Sequence, residues 1–316
     1  MKPLLLSSII LFSASIYATP KPSFSEIRVG FENVGYSESL GDVAGFGALS
    51  QSINVTNPAI RQISYTGMND DWGFYIESAA TISTDITTET WYMGEFGAIQ
   101  ENAYKIKANE IGFKGAYNFS RAVQLTVGTK LYTSSFTRSN FAFVQPGAGE
   151  FDQALMALSD DPNNPARFTL PGMNAGGNTD EQQSYDSQLQ PVISVSEDQM
   201  GILLALGARY DSRLEDSFNN FSWYVEGELS TPMYSEIQNT QFNTTTLTDS
   251  FNGWGAFART GVRYQIKKHI AIMTGVDAYY KERDVVTKNL ENGQRLRVPE
   301  VEYTNVSLTF GLQWSY

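Results

Sequence analysis

The chain has 316 residues, a formal net charge of −12, no cysteine and one histidine. The absence of cysteine from the sequence excludes disulfide bonds and cysteine metal sites. The acidic balance argues against nucleic-acid binding, which requires clustered Lys and Arg. We predict no cofactor, no metal site and no nucleic-acid partner.

Residues 1–18 have the layout of a secretory signal peptide. Lys2 precedes an apolar core from Leu4 to Phe12, and the small residue Ala18 is a suitable cleavage position. This core is too short to be a membrane helix, which needs about 20 residues. We therefore expect Sec-type export and a single mature domain, residues 19–316.

The mature chain is a series of segments in which apolar and polar residues alternate. In chain order they lie near residues 26–32, 60–66, 72–77, 110–119, 123–132, 202–211, 223–230, 256–266, 270–281 and 305–316. Period-2 alternation is typical of strands, and such segments separated by turns are typical of membrane barrels. The sequence predicts an all-β fold, an antiparallel transmembrane β-barrel of about ten strands. Twelve strands are the alternative if residues 138–190 contain another hairpin.

The connections between these segments alternate in length. Short ones lie at 68–71, 120–122, 214–220 and 267–269, and long ones near 37–58, 84–103, 138–190, 236–252 and 284–300. This predicts short periplasmic turns, long extracellular loops and both termini on the periplasmic side. Outward-facing rings beside the short turns are expected to form an interfacial girdle: Trp72, Phe119, Tyr210, Trp223, Tyr264, Trp314 and Tyr316.

The third long connection has a helical pattern of its own. In EFDQALMAL, residues 150–158, Phe151, Leu155 and Leu158 share one helical face. The following DDPNNP, residues 160–165, is interpreted as turns rather than a calcium site, because it lacks the glycine and terminal glutamate of a calcium-binding loop.

The last alternating segment contains Thr309, Gly311, Trp314 and Tyr316 at a fixed spacing. This pattern resembles the terminal signal that the outer-membrane assembly machinery reads. Together with the signal peptide and the alternating strands, it makes the chain resemble the bacterial outer-membrane β-barrel class. The resemblance implies residence in the bacterial outer membrane and contact with its lipid, its lipopolysaccharide and the assembly machinery.

The length and ten-strand layout are also similar to the omptins, the outer-membrane proteases. Omptins carry external Asp pairs and an Asp-x-His element on the barrel rim. This sequence lacks that element, because its one histidine, His269, follows Lys267 and Lys268 in a short turn at the opposite end. Catalytic triads that depend on histidine are also unavailable, because the sequence has no other histidine and no cysteine. We therefore expect the protein not to be an enzyme.

The inward faces of the predicted strands carry similar numbers of acidic and basic residues. We interpret them as a salt-bridge network that fills a narrow lumen, because buried charges persist only when paired. A narrow ion-conducting path is the first alternative, and a catalytic carboxylate pair at Glu226 and Glu228 is a more distant one. The predicted lumen network comprises Glu26, Arg28, Glu77, Lys114, Lys130, Arg209, Asp211, Glu226, Glu228, Arg259, Arg263 and Asp277.

Three basic residues near the external ends of their strands lie an even number of positions from apolar residues that are predicted to face outward, so they are predicted to face outward too: Arg61, Lys105 and Lys107. We predict contacts with lipopolysaccharide phosphates, with a strand that extends above the bilayer as the alternative.

The sequence thus predicts an integral outer-membrane barrel that acts as a narrow porin-like channel or a general surface protein. The alternatives are a non-channel barrel for adhesion or ligand binding and, less favoured, an omptin-like protease. Small solutes or surface ligands are the expected partners.

Overall fold

The computed structural model describes residues 23–43, 45–159, 194–214, 220–240, 246–289 and 295–316. The predicted signal peptide and the DDPNNP segment lie outside these residues. None of the helices in the described ranges is long and apolar enough to cross a membrane.

The described residues are mainly strands. In chain order they are β1 Phe24–Asp42, β2 Ala48–Gly67, β3 Trp72–Thr81, β4 Thr87–Met93, β5 Gly97–Asn118, β6 Val123–Phe143, β7 Ser194–Asp211, β8 Phe221–Asn239, β9 Thr246–Asp249, β10 Trp254–Lys267, β11 Ile270–Arg283, β12 Val286–Asn289, β13 Arg295–Val298 and β14 Glu300–Ser315. One α-helix, α1, spans Gly147–Ser159, and one-turn 3-10 helices lie at Gly94–Phe96 and Ser212–Leu214.

Ten long strands form a closed antiparallel ring in the order β1, β2, β3, β5, β6, β7, β8, β10, β11 and β14. The ring closes where β14 pairs with β1, from Glu300 opposite Ser39 to Ser315 opposite Phe24. Above β3, the short strand β4 takes its place between β2 and β5. The predicted ten-strand barrel is confirmed, with β9 beside β8 and the β12–β13 hairpin as external additions.

The outer surface carries an apolar belt. On β14 every second residue from Val306 to Trp314 is apolar and exposed, while Ser307, Thr309 and Gln313 are buried. With a rise of about 3.4 Å per residue and the usual strand tilt, the stretch to Tyr316 spans roughly 25 Å. That is the height of the band that meets lipid in outer-membrane barrels.

Aromatic rings mark the short-turn end of the belt, as predicted. Trp72 packs on Tyr117 with ring centroids 5.0 Å apart, and Tyr210 packs on Trp223 at 4.8 Å. The remaining predicted girdle residues are exposed on the same rim: Phe119, Tyr264, Trp314 and Tyr316.

The long connections were expected to be loops, but two of them are largely strand. Residues 43–47 alone connect β1 to β2, and residues 87–103 belong mostly to β4, a 3-10 turn and the start of β5. The reason is a change of polarity along each strand. In β1 the apolar residues from Ile27 to Phe31 face outward, whereas Val34, Tyr36 and Leu40 face inward. Above the belt the barrel has an apolar interior and a polar exterior.

Helix α1 forms where the sequence pattern predicts it and packs inside the top of this extension. Phe151 and Leu155 are buried together against the upper ends of β1, β2, β4 and β5. The side chain of Leu158, predicted for the same face, lies outside the described residues. The other buried members of this upper apolar cluster are Leu40, Val43, Leu49, Trp91, Met93, Ile99 and Ala148.

Candidate functional site

All twelve residues of the predicted lumen network are buried inside the barrel. At its centre Asp277 contacts three arginines. Arg259 Nε lies 3.0 Å from Asp277 Oδ1, Arg28 Nη2 lies 3.3 Å from Oδ2, and Arg61 Nε lies 3.6 Å from Oδ2. One carboxylate therefore organises cations from β1, β2 and β10.

A second group is centred on Lys114. Its ammonium lies 2.8 Å from Glu226, 3.0 Å from Glu77 and 3.1 Å from Glu228. Lys130 also contacts Glu228 and lies 3.1 Å from Glu110. The carboxylates predicted as a catalytic alternative, Glu226 and Glu228, are thus bound to lysines.

At the short-turn end, Asp211 receives two hydrogen bonds from Arg263, at 2.9 and 3.0 Å. Arg213 lies 3.6 Å from the same carboxylate and was missed in the sequence, because it falls beside a predicted turn. An end plug of apolar and aromatic side chains lies at this level: Phe24, Ile63, Tyr65, Tyr75 and Ala116. Guanidinium groups pack on its rings, as Arg209 does on Tyr75.

The prediction that Arg61 faces outward is wrong. Arg61 is 6% exposed and its Nη2 donates to Glu32 at 2.7 Å inside the barrel. Its apolar neighbours Ile63 and Tyr65 belong to the end plug, so apolar parity indicates the lumen in this part of β2. Lys105 and Lys107 do face outward and are exposed above the belt.

The residues of the predicted assembly signal divide between the two faces of β14. Thr309 is buried in the lumen and accepts a hydrogen bond from Arg28 Nη1 at 2.9 Å. Gly311 lies on the same inward face, opposite Arg28, while Trp314 and Tyr316 are exposed in the girdle.

A further charged group above the belt was not found in the sequence. Arg138 binds Glu89 through Nε at 2.6 Å and Glu38 through Nη2 at 2.6 Å. Its guanidinium lies 4.3 Å from the ring of Phe136. Burial by itself lowers the pKa of Arg138, but Glu38 and Glu89 outweigh burial and hold this pKa well above its ordinary value. Arg138 lies on β6, Glu38 on β1 and Glu89 on β4, so no local sequence pattern indicates these ion pairs.

Between the network and this upper group lies a cavity of about 110 Å³. Aromatic side chains from several strands form much of its wall: Tyr36, Tyr132, Phe257, Tyr279 and Tyr303. Four cations reach it, of which Arg61 and Arg259 are paired within the network. The other two are Lys281 and Arg283.

The described residues offer little to hold a metal ion or to support histidine chemistry. Within the described ranges no cluster of three His, Asp or Glu side chains is arranged for metal binding. His269 lies in the exposed turn between β10 and β11, with Nδ1 3.1 Å from the carbonyl oxygen of Ser315. It is at the opposite end of the barrel from the cavity.

No protein-family model matches the sequence, and no curated protein matches it. Among solved structures, the outer membrane protease OmpT from Escherichia coli matches with a TM-score of 0.60 and 9% identity, covering 96% of this chain and 99% of that chain. A Pseudomonas aeruginosa FadL homologue has a TM-score of 0.32 at 9% identity, over 93% and 90% of the two chains. The Pseudomonas aeruginosa outer membrane protein OprG has a TM-score of 0.30 at 10% identity, over 95% and 98%. The chain has the outer-membrane β-barrel fold, which confirms the resemblance drawn from its strands.

Proposed function

We propose that the protein is a bacterial outer-membrane surface barrel that does not conduct, and that its external half binds a ligand. The observation that carries this proposal is the filled lumen. Arg28, Lys114 and Arg259 are each buried and in contact with carboxylates from other strands. The ligand-binding barrel is the alternative that the sequence predicts, and the filled lumen supports it better than the narrow porin-like channel that the sequence predicts first.

A conducting path would have to separate these charges. Each contact lies in a protein interior of low dielectric, where breaking an ion pair and leaving one partner buried costs about 3–5 kcal/mol. The end plug at the short-turn side and the upper apolar cluster beneath α1 lie on either side of the network. Water entering from one side therefore meets packed side chains within the described residues.

The external extension supports a role at the cell surface. The strands of one wall run far beyond the belt, with 22 residues in β5 and 21 in β6, against 14 in each of β10 and β11. Ordering so many residues above the membrane costs conformational entropy, which the inward apolar packing offsets. The extension is a rigid scaffold that holds α1 and the external hairpins.

The proposal includes no catalytic role. A general acid or base must come within hydrogen-bond distance of its substrate, and Glu226 and Glu228 are both buried in contact with lysines inside the lumen. Contacts of Lys105 and Lys107 with lipopolysaccharide phosphates, and recognition of β14 by the assembly machinery, remain part of the proposal. Their exposed positions above the belt and in the girdle support both.

Liposome swelling tests the proposal. Vesicles that contain the refolded protein should swell in isosmotic arabinose no faster than protein-free vesicles, because the lumen is occupied. A general porin at the same protein-to-lipid ratio is the positive control. Swelling at the rate of the porin control would refute a closed barrel.

A further inference from the structure

We propose that the cavity above the lumen network binds a small organic anion that consists of one ring and one carboxylate group. This inference rests on the proposed function, because it names the ligand class of the surface barrel. It follows from the charges, the walls and the position of the cavity.

Lys281 and Arg283 are two residues apart on β11 and both face the cavity. Arg283 is 5% exposed; its Nη2 donates to the carbonyl oxygen of Pro299 at 3.0 Å, and its Nε has no acceptor. Lys281 Nζ lies 3.2 Å from the ring centroid of Tyr132. Neither forms an ion pair with any described residue.

The acidic side chains that face the cavity are already engaged. Glu32 accepts hydrogen bonds from Arg61 at 2.7 Å and from Asn305 at 2.9 Å. Glu110 lies 3.1 Å from Lys130, and Asp277 is shared by three arginines as described above. The cavity therefore contains two neighbouring basic side chains with no carboxylate in direct contact, since Glu197 acts on Arg283 and Glu110 acts on Lys281 only from beyond ion-pair distance. An anionic ligand supplies the missing partner.

The walls indicate the rest of the ligand. Tyr132, Tyr279, Tyr303 and Phe257 present rings on several sides, and aromatic pairs favour offset or edge-to-face contact with a planar group. A cavity of about 150 Å³ is known to hold benzene, so a cavity of about 110 Å³ limits the ligand to at most one small ring. A carboxylate is the anion of choice because it is compact and planar and matches the guanidinium edge.

The position of the cavity gives the direction of entry. Lys281 and Arg283 lie in the last three residues of β11, and Val301 is the second residue of β14. Above this level the two strands continue into the β12–β13 hairpin, whose Val286 and Val298 are buried with Ile237 and Leu247. The cavity borders the lumen network from the external side, so the ligand enters from the external side and stops at the network.

Calorimetric titration of the refolded full-length protein with benzoate tests the inference. We expect benzoate to bind more tightly than toluene, which lacks the charge, and acetate, which lacks the ring. Arg283→Met and Lys281→Met should each weaken benzoate binding about tenfold or more, since each removes one charge-assisted contact. Lys268→Met removes an exposed cation in the turn between β10 and β11, at the opposite end of the barrel, and should leave binding unchanged.

Heat-modifiable migration in gels and the strand circular-dichroism signal establish that each variant is folded. If Arg283→Met fails to fold, Arg283→Lys, which keeps the charge but loses the planar edge, replaces it and should still weaken binding. Absence of benzoate binding, binding that both cavity variants retain, or equal binding of inorganic phosphate would each overturn the inference. Benzoate binding by a protein that also makes vesicles swell would refute the closed barrel and leave the site intact. No swelling and no binding would refute the site alone.

Discussion

Buried charges in the lumen are arranged so that one carboxylate serves several cations. Asp277 contacts Arg28, Arg61 and Arg259, which come from three strands. A charge in such a position is stable only while its partners remain, because each would otherwise be buried without compensation. The lumen network thus acts as a set of cross-links between strands that are distant in sequence.

Substitution of Asp277 should therefore destabilise the barrel strongly. Asp277→Asn keeps the shape but removes the charge that three arginines share, and we expect a loss of about 3–5 kcal/mol in the free energy of unfolding. Urea titration of the protein in lipid vesicles, followed by tryptophan fluorescence, measures this loss. Glu300→Gln, at an exposed position above the belt, is the matched control and should change stability little. Equal effects of the two substitutions would contradict the cross-link role.

For individual residues, the sequence identifies the lumen network well but places Arg61 on the wrong face. The twelve network residues alternate along their strands with apolar residues that face lipid, so they are predicted to face the lumen, and all twelve are buried. Arg61 was assigned outward because Ile63 and Tyr65 share its parity, yet both pack in the end plug. Apolar parity alone does not distinguish lipid from an apolar plug. The partners of Arg138 depend on strand register, which no single segment encodes.

At the scale of the strand, polarity reverses along its length. Below the reversal the outer face of β1 meets the belt, and above it Val34, Tyr36 and Leu40 fill the interior. Apolar and polar residues alternate on both sides of this point, but the apolar residues move from the outward-facing to the inward-facing positions. A prediction that assumes outward-facing apolar residues throughout therefore ends the strand at the reversal. That is why segments expected as long loops are strands. The helix at residues 147–159 was found because its periodicity is local.

Closure of the ring depends on close approach between β14 and β1 at Gly311. A Cβ at Gly311 would collide with the backbone oxygen of Ile27, so a side chain there forces the two strands apart. Gly311→Ala should cost about 1–3 kcal/mol and lower the folded yield. Gly227, whose Cβ would meet nothing within 4 Å, provides the control substitution Gly227→Ala.

Refolding yield into lipid vesicles, read from the heat-modifiable gel band, measures this effect. We expect a lower folded yield for Gly311→Ala than for Gly227→Ala under identical conditions. A yield for Gly311→Ala equal to that of the unsubstituted protein would show that the two strands tolerate a side chain at their junction.

At the scale of the whole molecule, the barrel is divided into levels. The end plug lies at the short-turn side, the lumen network follows, and the cavity lies between the network and the Arg138 group beneath α1. The lower half has the inverted polarity that a membrane requires, and the upper half has the polarity of a soluble barrel. The ten-strand ring could be predicted because every lipid-facing strand carries the same period. The cavity could not, because residues from many strands line it.

Single-channel recording in planar bilayers tests the closed lumen most directly. Refolded wild-type protein in molar potassium chloride should give no current steps above the noise, because Arg28, Lys114 and Arg259 are held against carboxylates across the lumen. Successful insertion is verified with the same protein preparation in lipid vesicles, where the belt should be protected from protease. Reproducible ohmic current steps whose size scales with salt concentration would contradict the closed lumen and establish a channel.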